Sequence, residues 1–182
     1  MAVHYGRHLT FKSCGVLIFL TGMMGSGKTT VGNLLAEELG LPFFDTDDII
    51  SSIAGMEVST IFEKHGENHF RDLETLLIKN WKLTHGVIAT GGGLPCHDGL
   101  METLNARGKT VYLDCPVHVL VERVDGRAGR PLLAGLQPDD VRLKLEQLSE
   151  TRRPLYLTSG IVINANQSPM EVMKNIMREL YT

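Results

Sequence analysis

The chain predicts an α/β fold on a five-stranded parallel sheet, and three observations carry that expectation. Five short apolar runs, at residues 16–21, 41–44, 87–90, 110–113 and 161–163, alternate with longer segments of helical period. The length of 182 residues, with 43% apolar and 21% charged side chains, suits a single domain (1–182) that buries its own core. A net charge of −3, from 18 basic and 21 acidic residues, leaves no global basic field and argues against a nucleic-acid partner.

Residues 1–15 read as a flexible N-terminal extension. Arg7 and Lys12 stand there without an acid, but the apolar region and cleavage site of a leader peptide are missing. The longest apolar run, 16–20, is far shorter than the ~18 residues of a membrane span, so no membrane role is expected. That run opens the first strand. A helix over about 28–39 follows, with Val31, Leu34, Leu35 and Leu39 on its buried stripe and Gly40 as its stop.

After the second strand, residues 45–83 are helical throughout. Gly55 is an internal stop, Thr60 and Glu63 match a capping box, and Gly66 breaks the pattern before Phe70, Leu73 and Leu77. Such a stretch is too long for a simple crossover and reads as a substrate-binding insertion, with Trp81, the sole tryptophan, in its core. Residues 125–138 form a second irregular stretch. Glycines and prolines flank Arg127 and Arg130, the composition of a mobile basic lid. Val141, Leu145 and Leu148 then share a helical face. The last helix has Ser168 as N-cap, Pro169 at its first position and Glu171 at its third, with Val172, Met173, Ile176, Met177 and Leu180 inward.

Cys14, Cys96 and Cys115 are odd in number, widely spaced and contain no C-x-x-C pair. They read as free thiols of a cytoplasmic protein. Cys96, His97 and Asp98 are adjacent but lack partners elsewhere that would complete a metal site. His65, His69 and His85 read as surface or packing residues.

The strongest chemical signal is Gly22-Met23-Met24-Gly25-Ser26-Gly27-Lys28-Thr29, followed by Thr30, a complete G-x-x-x-x-G-K-[ST] between a strand and an amphipathic helix. Glycines let the backbone N–H groups turn inward around phosphate, and the helix start adds partial positive charge. Lys28 at that spacing reaches the β- and γ-phosphates of a nucleotide, and the Thr29 hydroxyl joins a magnesium shell. Asp45 and Asp47 follow the second strand, and alternation along an extended chain would set both carboxylates on one face. One of the two also suits the N-cap of the helix that follows.

Further along stand Phe70-Arg71-Asp72-Leu73-Glu74, the triplet Gly91-Gly92-Gly93, Arg130-Pro131-Leu132-Leu133 in the lid, and Arg152-Arg153-Pro154-Leu155-Tyr156 after the next helix. Arg71 has Glu67 four residues before it, so it is either a helical ion pair or a ligand. Arg152 has no local acid, whereas Arg153 has Glu150 within reach.

Taken with the phosphate loop, this ordered set resembles the shikimate kinase family from residue 16 to the last helix. The resemblance implies a P-loop three-layer α/β/α kinase that moves the γ-phosphate of ATP to the 3-hydroxyl of shikimate, a step toward chorismate and the aromatic amino acids; a monomer is expected separately, because no long uncompensated apolar face remains after the core is assigned. It implies that Asp47 holds the shikimate hydroxyls and activates the attacking one, and that Asp45 lies in the outer magnesium (Mg2+) shell with Thr29 beside it. Arg71, Gly91, Gly92, Gly93 and Arg152 would clasp the acceptor, the arginines taking its carboxylate. Arg130 would meet the transferring phosphoryl group as the lid closes, Arg123 would stack on adenine, and Ser168 and Pro169 would line the base. Rival readings are a gluconate kinase of the same fold and a nucleotide-binding module without turnover. The module would be expected to lose Lys28, Asp47 or Arg130, and all three are present.

Overall fold

The computed structural model describes residues 15–124 and 131–182. The expectations placed on Cys14, Arg127 and Arg130, on residues 1–14 and on the first part of the lid therefore lie outside the described residues.

Five strands, β1 (Leu17–Thr21), β2 (Phe43–Asp45), β3 (Gly86–Ala89), β4 (Lys109–Asp114) and β5 (Ile161–Asn164), form one sheet in the order β2-β3-β1-β4-β5. Every pairing is parallel. Both faces of a parallel sheet are covered, so its central strands need continuous apolar runs; all five residues of β1 are buried accordingly. Ile18 and Leu20 pack into the cluster that contains Val31 and Leu35 of α1 (Lys28–Leu39) and Val172 and Ile176 of α7 (Pro169–Leu180). Leu17 and Phe19 point the other way, toward Leu100 and Leu104 of α4 (Leu100–Arg107). The result is three layers, as the sequence implies.

The segment after β2 folds as α2 (Thr46–Ala54) and α3 (Val58–Lys79), which share a small apolar cluster of Ile50, Ile61 and Phe70. The break at Gly66 is real: its φ of 82° and ψ of 169° interrupt α3. The start of α3 differs from expectation. Glu57 is its N-cap, without a side-chain cap bond, and Thr60 lies inside the helix, so Thr60 and Glu63 make no capping box. Extended backbone at Glu57 (ψ 150°) sets the start three residues earlier than the box pattern implies. Trp81 also lies elsewhere. Its ring meets Phe44 edge-on at 5.6 Å and packs with Leu17, Phe19 and Ile88, on the sheet rather than inside the insertion.

Beyond β4 come α5 (Val117–Val124) and α6 (Pro138–Tyr156). Arg152, Arg153 and Pro154 belong to α6 itself and do not follow it. Arg153 pairs with Asp114 at 2.9 Å, across to the end of β4, and not with Glu150. The expected box at α7 is present: the Ser168 hydroxyl accepts from the Glu171 N–H, and the Glu171 carboxylate accepts from the Ser168 N–H. No helix among the described residues is long and apolar enough to cross a membrane.

Candidate active site

Because β1 is central and the sheet is parallel, the chain leaving β1 emerges at the carboxyl edge, between β3 on one side and β4 on the other. Ligands of open α/β sheets bind at that kind of switch point. A cleft of about 700 Å³ opens there, lined by the phosphate loop, the β2–α2 corner, α3, the glycine triplet, α5 and α7.

The loop is shaped by three glycines with positive φ: Gly22 (135°), Gly25 (82°) and Gly27 (98°), a region that L side chains avoid. Gly22 also needs its missing side chain, since a Cβ there would come within 2.9 Å of the Leu113 carbonyl oxygen. Gly22 and Met23 form the buried floor of the loop, while Met24, Gly25, Ser26, Gly27, Lys28, Thr29 and Thr30 line the cleft. Lys28 Nζ folds back to donate to the carbonyls of Gly22 (2.8 Å) and Met23 (2.9 Å). The buried Ser26 hydroxyl has no hydrogen-bond partner. Gly27 caps α1 without a side chain, and no acid occupies the first turn, so the positive helix end faces the cleft uncompensated.

At the next corner, Asp45 is the last residue of β2 and the N-cap of α2, its Oδ1 accepting from the Asp47 N–H at 3.1 Å. Asp47 is in the first turn of the helix. The two carboxylates therefore share the cleft through a strand-to-helix corner and not through strand alternation. The Thr29 hydroxyl donates to Asp45 Oδ2 at 2.8 Å, placing two hard oxygen donors at the lip of the phosphate loop. Asp47 Oδ1 is buried and unpartnered. Burial foremost, then the neighbouring Asp45 charge, push its pKa up to about 6, against the pull of Lys28 and Arg71. A carboxylate so placed has a raised affinity for a proton and an oxygen without a partner.

Arg71 and Arg152 reach the opposite wall from α3 and α6. Arg71 is at once an ion pair and a cleft residue. Its Nη2 meets Glu67 Oε1 at 2.6 Å, its Nη1 meets Glu74 Oε2 at 2.7 Å, and its guanidinium lies 5.9 and 5.6 Å from the rings of Phe62 and Phe70. Glu74 is fully buried, and desolvation drives its pKa up to about 7 despite the Arg71 charge. Arg152 is 7% exposed and its Nη1 has no hydrogen-bond partner. A buried cation with an unused donor is costly unless a ligand completes it.

The glycine triplet is where these groups converge. A Cβ on Gly91 would stand 2.6 Å from both Asp47 Oδ1 and Glu74 Oε1, and one on Gly93 would stand 2.5 Å from three atoms of the Arg71 guanidinium. On Gly92 it would lie 3.4 Å from the Met24 amide nitrogen and 3.8 Å from Arg152 Nη1. Near the other end of the cleft, Arg123 donates to the Ala165 carbonyl at 3.1 Å, and Pro169 forms part of the wall. Ser168 is engaged in capping α7 and is not among the lining residues. Pro131 and Leu132, from the described part of the lid, also line the cleft.

Sequence reasoning assigned no role to Glu74, Phe62 or Phe70, which surround Arg71. The available signal was spacing: Glu67, Arg71 and Glu74 follow one another at four and three residues, the period of one helix face. Cys96 and Cys115 are free thiols. Among the described residues no group of three or more His, Cys, Asp or Glu could hold a metal ion by itself.

The family model for shikimate kinase matches residues 24–181. The chain belongs to the shikimate kinase family. A shikimate kinase from Aquifex aeolicus is 38% identical over 164 residues, covering 90% of this chain and 95% of the relative. One from Trichormus variabilis is 41% identical over 167 residues, covering 90% of each. Among solved structures, the shikimate kinase from Acinetobacter baumannii, in complex with shikimate, superposes with a TM-score of 0.88 at 36% identity, covering 96% of this chain and 97% of that one. A gluconokinase from Sinorhizobium meliloti superposes at 0.57 with 20% identity, a likeness of fold alone. As a shikimate kinase the protein is an ATP-dependent phosphotransferase.

Proposed function

We propose that the cleft carries the γ-phosphate of ATP to the 3-hydroxyl of shikimate, giving shikimate 3-phosphate and ADP. The observation that carries this reading is the convergence of Asp47, Arg71 and Arg152 on the glycine triplet, beside the phosphate loop in one cleft. A carboxylate-bearing polyol is what two arginines and one proton-accepting carboxylate recognise.

In this reading the amides of the phosphate loop and Lys28 hold the β- and γ-phosphates, and Arg123 and Pro169 border the base, while Ser168 holds the start of α7 that carries Pro169. Arg71 and Arg152 take the shikimate carboxylate, Gly91, Gly92 and Gly93 leave room for the ring, and Asp47 orients the hydroxyls. The 3-hydroxyl oxygen forms the new bond to phosphorus as the bond to the ADP oxygen breaks, and Asp47 accepts the hydroxyl proton. Arg130 would meet the transferring phosphoryl group, and its chain neighbours Pro131 and Leu132 line the cleft.

Magnesium suits the lip of the loop. The Thr29 hydroxyl and Asp45 carboxylate are hard oxygen donors already in contact, and a site of few protein ligands is what an ion shared with phosphates and water requires. When bound there it offsets the negative charge of the nucleotide. Free thiols at Cys96 and Cys115 suit a reducing cytoplasm, and the reading has the enzyme working as a monomer.

Coupled ADP release with ATP and magnesium, offered shikimate, gluconate, AMP or no acceptor, tests the reading. Turnover is expected with shikimate alone, and Asp47→Asn should lower kcat by at least about a hundredfold while ATP still binds. Turnover on gluconate with none on shikimate, or near-normal turnover in the Asn variant, would overturn it.

A further inference from the structure

Tyr156 has no solvent exposure and is the bulkiest fully buried side chain among the described residues. Its hydroxyl donates to the carbonyl of Gly92, the middle glycine of the triplet, and lies 3.9 Å from the sulfur of Met23 in the floor of the phosphate loop. Its ring stacks obliquely on Tyr112 at 5.1 Å. Arg152 is on the same helix one turn earlier, so the two side chains share a face of α6. Gly92 thus lies close to both the phosphate loop and Arg152, and it is the residue that Tyr156 grips.

The helix needs that grip. Pro154 lies between the two residues and has no N–H, so the Glu150 carbonyl loses its ladder bond in the turn that presents Arg152. A side-chain bond from Tyr156 into the triplet ties that turn to the sheet edge. Burial drives the phenol far above its ordinary pKa, so it remains a donor at every working pH.

We propose that Tyr156 is a positioning residue for acceptor binding: by fixing Gly92 to α6, its hydroxyl sets the gap in which Arg152 meets the acceptor's carboxylate. The proposal rests on the reading of Arg152 as a carboxylate ligand. It predicts an effect on the acceptor side of the cleft that a purely structural tyrosine would not produce.

The test is Tyr156→Phe, which keeps the ring and deletes only the hydroxyl. The KM for shikimate should rise about three- to tenfold, the range of one lost hydrogen bond, while kcat and the KM for ATP stay within about twofold. Tyr112→Phe is the control. It removes the hydroxyl that donates to Asp114 at 2.8 Å from the neighbouring ring, and it should leave the shikimate KM unchanged. Because Tyr156 acts through Arg152, Tyr156→Phe should add nothing to the shikimate KM of Arg152→Ala. An unchanged KM in Tyr156→Phe, an equal rise in Tyr112→Phe, or full additivity with Arg152→Ala would each overturn the proposal. An Arg152→Ala enzyme with a normal shikimate KM would instead overturn the underlying ligand reading, and the proposal with it.

Discussion

Gly93 has an ordinary right-handed backbone, φ −87° and ψ −22°, which any residue adopts. What it supplies is space for a guanidinium. An alanine methyl would stand 2.5 Å from Arg71 atoms that Glu67 and Glu74 already hold from two sides, so the arginine has little freedom to withdraw. Gly93→Ala should therefore raise the shikimate KM more than about tenfold and lower Tm by several degrees while nucleotide affinity changes little, measured by titration and melting. The sequence made the triplet and Arg152 stand out, because a glycine run and a cation without a nearby acid are local signals. It did not make Glu74 legible. A buried acid is defined by what surrounds it, and its surroundings come from Arg71, Asp47 and Arg152 on three different helices. Arg71 shows the same limit: the sequence offered Glu67 as its partner, and the structure adds the buried Glu74 and a place in the cleft wall.

Among elements, the ones that carry their own punctuation were read best. The start of α7 was placed from Ser168, Pro169 and Glu171, and that capping box is present. Ser168→Ala removes the acceptor for the Glu171 N–H and should cost ~1 kcal/mol, seen as a fall of about 2–4 °C in Tm. The five strands also came within two residues of their expected bounds, since short apolar runs between polar turns leave few alternatives. By contrast α4 and α5 carried no expectation. Each has eight residues, too few for a helical period to declare itself, and the run VHVLVERV of α5 is rich in β-branched valine. The start of α3 was misread because the pattern of Thr60 and Glu63 fits a cap wherever it falls, and only the backbone at Glu57 decides.

At the scale of the molecule, buried acids held above their ordinary range, Asp47 and Glu74 foremost, make stability depend on pH. Glu74 moves from 4.5 to about 7 on folding, so the folded state binds its proton more tightly than the unfolded state does. Stability then falls as pH rises from about 4.5 to 7 and levels off above. Glu74→Gln should flatten that decline, and melting curves between pH 5 and 8 will show it as a smaller drop in Tm than in the parent. The sequence could not order the strands, because β2-β3-β1-β4-β5 is fixed by contacts between segments far apart in the chain. It also could not divide the core. Ile50, Ile61 and Phe70 form a cluster apart from the two that cover the sheet, and the phosphate loop stands on the sheet while Arg71 stands on the outlying cluster. The α2–α3 wall of the cleft therefore stands on an apolar footing of its own, while Arg152 shares the footing of the phosphate loop. Redesign can exploit that division: α2 and α3 can be recut for a different alcohol while the nucleotide half keeps its foundations.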